Sequence, residues 1–247
     1  MKKIWLSSFS CKNGDELIKY CNSDKHAKKL SKLYKEFPNH VYSLKVNGNR
    51  IFYEFVYGNT LNDIIKEKKL KPKFYYDLGK FLSKIHFSNK PIKIENYEEV
   101  CKRRNLHPNK NKIFTKKAYS FISKIHGDLT TKHIIIKNKN FYFIERFRNR
   151  EDIFFDFPIF LSLLCFYKIT NSKYFLKCAK SFLEGYRSNS PNDKEFWRGF
   201  FYNLLNYCYF TSGYTHKFGE WSYSIELAKD LEKHKDIWEY LEKELNN

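Results

Sequence analysis

Ile125-His126-Gly127-Asp128-Leu129-Thr130-Thr131-Lys132-His133 is a polar loop set between two apolar segments. Before it, residues 116–125 carry apolar side chains at helical spacing and predict a helix. After it, residues 134–137 and 141–144 read as two short strands joined by Asn138-Lys139-Asn140. A carboxylate in such a loop has two readings. Asp128 either handles the proton of a reacting group or caps the amides of Thr130 or Thr131.

Working outward, the chain upstream begins as β structure. Residues 4–9 and 16–21 flank Lys12-Asn13-Gly14-Asp15, a hairpin signal because Asn-Gly tolerates the positive φ of a tight turn. A helix capped by Ser23 or Asp24 follows, with Ala27, Leu30, Leu33, Tyr34 and Phe37 at helical spacing and Pro38 ending it. Residues 41–46 and 50–56 predict a second hairpin on Asn47-Gly48. Helices are then expected at 61–68, capped by Thr60, and at 74–86, with Leu78, Phe81, Leu82 and Ile85 on one face. Residues 88–112 are polar and basic and read as a surface excursion. From 154 onward almost everything is helical, with a break at 188–193.

Composition bounds the answer. In 247 residues, 42% hydrophobic and 19% aromatic side chains exclude disorder as the dominant state and require a core rich in Phe and Tyr. The formal charge of +19 favours anionic partners, namely nucleotide, nucleic acid or an anionic membrane surface, yet lysine is spread through the whole chain. The same over-use of Lys, Asn, Ile, Phe and Tyr is what compositional bias writes at tolerant surface positions. No recognised nucleic-acid motif is present. Cys11, Cys21, Cys101, Cys165, Cys178 and Cys208 form no CxxC pair and no metal-ligand spacing, which fits buried thiols in a reduced cytoplasmic protein. The most apolar stretch, 153–167, contains Asp156 and Pro158 and is too short to span a bilayer.

Together the motifs resemble the aminoglycoside and choline phosphotransferase branch of the protein-kinase-like superfamily. His126 to His133 resembles its HGDxxxxN catalytic loop. Phe143-Ile144-Glu145 resembles the strand that ends in its metal-binding Asp. Phe155-Asp156-Phe157 falls at its YDLA motif, and Phe182-Leu183-Glu184-Gly185-Tyr186 at its later F-x-x-x-Y helix. Tyr53-Glu54-Phe55-Val56-Tyr57-Gly58-Asn59-Thr60-Leu61 resembles its hinge, and Leu78-Gly79-Lys80-Phe81-Leu82-Ser83-Lys84-Ile85-His86 its LGxxLAxLH helix. The resemblance covers residues 16 to 215. It implies an α+β, two-lobed fold, with a small β-rich N-lobe over 1–57 and a large, mostly helical C-lobe over 58–247. It implies ATP with Mg²⁺ or Mn²⁺ as cofactors, and transfer of the γ-phosphate to a hydroxyl of a small molecule, sugar or glycolipid. By position, Asp128 would be the catalytic base, braced by His126. Lys19 would contact phosphates, although a surface lysine reads equally well. Glu54 and Val56 would line the nucleotide's hinge, and His133 and Glu145 would hold the metal. Asp156 would be structural, buried and bonded to backbone at the start of a helix.

Several positions depart from that pattern. His133 stands where Asn is expected, as it does in the lipopolysaccharide core kinases that resemble this branch, and Glu145 stands for Asp. An imidazole is a softer ligand than an amide oxygen and suits Mg²⁺ less well. The helix glutamate that should pair with Lys19 would fall near His26, so that ion pair is expected to be absent. No G-x-G-x-x-G phosphate loop precedes Lys19, and the first strand reads as missing. The alternative function is therefore a catalytically degenerate pseudokinase that acts as a binding or scaffold protein. Since +19 repels a polycation at long range, a neutral or anionic acceptor is expected, with an anionic membrane as a peripheral contact. Glu184, Glu220, Glu226 and Asp230 could form a local acidic cluster or simply be solvated.

Overall fold

In the computed structural model the described residues are 4–7, 10–13, 15–35, 43–88, 92–94, 120–138, 140–144, 148–212 and 223–247. They fold as two compact units, Met1–Glu67 with Thr131–Asn149, and Lys68–Thr130 with Arg150–Asn247. The segment that follows the polar loop joins the first unit.

The first unit is built on a five-stranded sheet of order β1-β2-β3-β5-β4, formed by β1 (Ile4–Ser7), β2 (Ser10–Asn13), β3 (Glu16–Tyr20), β4 (Ser43–Asn47) and β5 (Arg50–Glu54). All neighbours in it are antiparallel. Two strands thus precede Lys19, which corrects the expectation of a missing first strand. The run 4–9 is not the partner of 16–21 either. Ser10-Cys11-Lys12-Asn13 lies between them and pairs with β3 from Ser10↔Lys19 to Asn13↔Glu16. That segment is polar and carries little side-chain signal for a strand, and backbone pairing to its neighbours places it in the sheet.

Helix α1 (Asp24–Lys35) packs Ala27, Ser31 and Tyr34 inward, and Ser23 accepts the His26 N–H at its first turn. A second, three-stranded sheet of order β10-β9-β6 joins β6 (Asn59–Thr60), β9 (Ile134–Lys137) and β10 (Asn140–Phe143). Helix α2 (Leu61–Ile65) starts at Thr60, the expected cap, which forms a capping box with Asp63, and it stops three residues earlier than expected.

In the second unit, β8 (Ser120–Ile125) lies between β7 (Ile92–Ile94) and β11 (Arg148–Asp152). The helix expected over 116–125 is therefore a strand from Ser120 onward; residues 116–119 lie outside the described residues. Phe121, Ile122 and Ile125 sit at spacings that fit either element, and strand partners distant in sequence decide between them. Within the expected surface excursion, Ile92–Ile94 supplies one of those partners.

Helices α3 (Pro72–Phe87), α4 (Pro158–Thr170), α5 (Lys173–Arg187), α6 (Lys194–Ser212), α7 (Ser224–Leu231) and α8 (Ile237–Asn246) form the rest of this unit. Pro158 opens α4, where its missing N–H costs nothing. Every residue from Pro158 to Tyr167 is buried, so α4 is the central core helix. Each large apolar side chain there contributes roughly 1.5–3 kcal/mol on burial. No helix among the described residues is long and apolar enough to cross a membrane. The architecture is α+β.

Helices α3 and α5 approach each other through two glycines. A Cβ on Gly79 would stand 2.0 Å from the Phe182 carbonyl oxygen, and one on Gly185 would stand 1.9 Å from that of Tyr76. Both belong to the motifs of the sequence, and their purpose is close backbone approach. This packing brings His86, at the end of α3, beside Tyr186, at the end of α5.

Candidate active site

The polar loop leaves β8 at Ile125 and is held by groups that precede and open α4. Gly127 takes φ +81°, a left-handed conformation that costs a residue with a Cβ about 1–2 kcal/mol. In that conformation its N–H donates to Oδ1 of Asp156 at 2.6 Å, while the His126 N–H donates to Oδ2 at 2.7 Å. At the other end of the loop, the Leu129 carbonyl accepts the Ile159 N–H at 3.1 Å, in the first turn of α4. The loop backbone is therefore fixed on both sides of Asp128, whose own side chain is half-buried.

Asp156 closes the 3₁₀ turn Ile153–Asp156, and Asp152 caps that turn through the Phe154 N–H. The Asp156 side chain is fully buried, and besides the two loop amides it meets His86 Nε2 at 3.1 Å. His86 Nδ1 lies 2.8 Å from the Tyr186 hydroxyl. Burial, with Asp156 and then Asp152 nearby, pushes the Tyr186 phenol well above its ordinary range, so it stays protonated. A neutral imidazole with its proton on Nε2 satisfies both contacts, accepting from Tyr186 and donating to Asp156. Three motifs separated by up to 100 residues thus converge on one carboxylate, and that carboxylate orients the loop. The reading of Asp156 as a buried residue bonded to backbone agrees with this geometry. His86 and Tyr186 had been assigned to motifs without a role.

The remaining predicted residues belong to the first unit. Lys19 stands on β3 opposite Ile51, and Glu54 ends β5 opposite Glu16. The side chain of Glu54 is exposed. Val56 follows, and neither its N–H nor its carbonyl bonds to another of the described residues. The hinge then passes Gly58, where a Cβ would stand 2.5 Å from the Ile136 carbonyl oxygen, and β6 pairs with β9. His133 ends the 3₁₀ turn Thr131–His133 that leads into β9, and its carbonyl accepts the Ile144 N–H at 3.0 Å. Thr131 is buried and donates to Asn62 Oδ1 at 3.1 Å, which ties that turn to α2.

Glu145 follows Ile144 directly and lies outside the described residues. Among the described residues no group of three or more His, Cys, Asp or Glu could hold a metal ion, so the metal reading rests on His133 and on a residue beyond that set. Lys19 Nζ donates to the Tyr34 hydroxyl on α1 at 3.0 Å. Tyr34 was visible in the sequence only as a member of the helix's apolar repeat.

Of the acidic residues considered for an acceptor pocket, Asp230 is engaged elsewhere. Asp230 pairs with Lys168 and Lys233, Glu184 and Glu226 are exposed, and Glu220 lies outside the described residues. Cys21, Cys165, Cys178 and Cys208 are buried free thiols.

No protein-family model matches the chain, and no curated protein is significantly similar to it. Solved structures do resemble it. One is a choline/ethanolamine kinase family protein from Mesorhizobium loti, at 10% identity and a TM-score of 0.53, covering 100% of this chain and 93% of that one. Another is a macrolide 2'-phosphotransferase type I, at 10% identity and a TM-score of 0.50, covering 90% of this chain and 88% of that one. The chain shares its fold with these choline/ethanolamine kinase family and macrolide 2'-phosphotransferase structures.

Proposed function

We propose that this chain is an ATP-dependent phosphotransferase that transfers the γ-phosphoryl group to a hydroxyl of a small molecule, sugar or glycolipid. The observation that carries the proposal is the pair of Asp156 bonds to the His126 and Gly127 amides, at 2.7 and 2.6 Å, immediately before Asp128. A catalytic base must be held to within a fraction of an ångström, and these two bonds hold the backbone that carries Asp128. The names of the similar structures, a kinase and a phosphotransferase, point the same way.

In this reading the Asp128 carboxylate accepts the proton of the acceptor hydroxyl as its oxygen bonds to the γ-phosphorus. ADP leaves with the electrons of the bond to the bridging oxygen. His126 is a positioning residue. Lys19 neutralises phosphate charge, and the backbone around Glu54 and Val56 receives the nucleotide base. His133 and Glu145 would hold Mg²⁺ or Mn²⁺, which when bound offsets negative charge on the phosphates. The charge of +19, with Asp230 already paired to lysines, favours a neutral or anionic acceptor, and peripheral contact with an anionic membrane fits the same charge. The buried thiols fit a reduced, cytoplasmic setting.

A second reading, a pseudokinase that binds without catalysing, draws on one observation: Lys19 is met by a neutral hydroxyl where the resemblance implies a carboxylate. ADP formation from ATP with Mg²⁺ or Mn²⁺, across panels of neutral and anionic hydroxylated acceptors, separates the two. The enzyme reading requires acceptor-dependent ADP formation that falls at least about 100-fold in Asp128→Asn, with nucleotide binding retained. Acceptor-dependent turnover that survives the substitution unchanged contradicts the assigned role of Asp128.

A further inference from the structure

We infer that Tyr34 is a positioning residue for Lys19, holding its ammonium by a neutral hydrogen bond so that Lys19 meets the phosphates of a nucleotide. The inference rests on the nucleotide reading above and adds to it a residue that no sequence motif marks.

Four observations carry it, all within the first unit. Lys19 Nζ lies 3.0 Å from the Tyr34 hydroxyl and 5.7 Å from the centroid of its ring, so the ammonium meets the edge that bears the oxygen. Tyr34 is 2% exposed and Tyr53 3% exposed; their ring centroids are 5.8 Å apart, which fixes the phenol against β5. Lys19 is half-buried, so its head is ordered without being sealed from a ligand. Finally, β3 holds the Lys19 backbone on two sides, opposite Ser10 and opposite Ile51.

The chemistry differs from that of an ion pair in one respect that matters. A carboxylate would neutralise the ammonium and compete with phosphate oxygens for its protons. A phenol hydroxyl accepts one of the three N–H donors and leaves the full positive charge in place. Held by a rigid aromatic side chain, the flexible lysine stem loses less freedom when an anion arrives. Tyr34 thus supplies pre-organisation and Lys19 supplies the charge.

The test measures binding of ATP, ADP and adenosine by isothermal titration in the full chain, for wild type, Tyr34→Phe, Lys19→Met and the double variant. Tyr34→Phe deletes one oxygen and keeps the ring packed against Tyr53. It should weaken ATP and ADP about 3- to 10-fold and leave adenosine unchanged, because adenosine has no phosphate. The double variant should bind ATP no more weakly than Lys19→Met alone, since the hydroxyl acts through the lysine.

Wild type that binds ATP, with Tyr34→Phe binding it equally well, overturns this inference and leaves the nucleotide reading standing. Equal loss for ATP and adenosine overturns it too, because that marks a general packing defect. Wild type that binds none of the three overturns both. Lys19→Met, at a half-buried position, guards against a Tyr34→Phe chain that fails to fold. Unchanged ATP affinity in Lys19→Met overturns the inference whatever the other variant does.

Discussion

The N–H of Gly127 donates to the buried carboxylate of Asp156 at 2.6 Å, and this bond fixes the backbone on which Asp128 is carried. Because the His126 N–H uses the other oxygen, removing the carboxylate strands two amides at once, one of them buried. Asp156→Ala should cost about 3–5 kcal/mol in chemical denaturation. Asp156→Asn, which keeps one acceptor oxygen, should cost less. A loss below about 1 kcal/mol in Asp156→Ala would show that the loop does not depend on it.

Helix packing gives a second prediction, opposite in sign to helix propensity. Replacing a mid-helix glycine by alanine ordinarily stabilises by roughly 0.5–1 kcal/mol. At Gly79 and Gly185 the new methyl would meet backbone carbonyls at 2.0 and 1.9 Å, so α3 and α5 must move apart. Gly79→Ala and Gly185→Ala should each destabilise by about 1–3 kcal/mol. Both should also disturb His86 and Tyr186, which the same packing brings together. A rise in melting temperature in either variant would refute the close approach.

The buried phenols set a pH limit. Tyr186, Tyr75 and Tyr240 are all pushed above the ordinary value of 10.0, in each case first by burial. A phenol whose folded value is raised holds its proton more tightly in the folded state. Its contribution is complete below the unfolded value near pH 10 and declines as pH rises past it. These phenols therefore leave stability unchanged up to about pH 10 and lower it above that. Absorbance at 295 nm should show a set of tyrosines ionising only as the far-ultraviolet circular dichroism is lost. Ionisation of all 19 tyrosines near pH 10 with the fold intact would contradict this.

Much of this was legible in the sequence where local chemistry and element order agree. The Thr60 cap, the break at 188–193 and the hairpin following His133 are visible in the sequence. The motif order around His126-Gly127-Asp128 implied the fold. The strand Ser120–Ile125 was read as a helix because its apolar spacing suits either form and its partners, Ile92–Ile94 and Arg148–Asp152, are distant in the chain. The bonds of Asp156 were half legible: the resemblance implies burial and backbone bonding, but not which amides it takes. Tyr34 was hidden because a tyrosine in an amphipathic repeat looks like core, and only its contact with Lys19 on β3 reveals its hydroxyl at work.

The central claim, a nucleotide-using phosphotransferase whose base is Asp128, is tested most directly by radiolabelled transfer from [γ-³²P]ATP with Mg²⁺ or Mn²⁺ to a panel of hydroxylated acceptors. Wild type and Asp128→Asn are compared, with ATP binding measured alongside. The expected result is labelled acceptor from wild type, at least about 100-fold less from Asp128→Asn, and equal ATP affinity in both proteins. ATP binding by neither protein, or equal transfer by both, would contradict it.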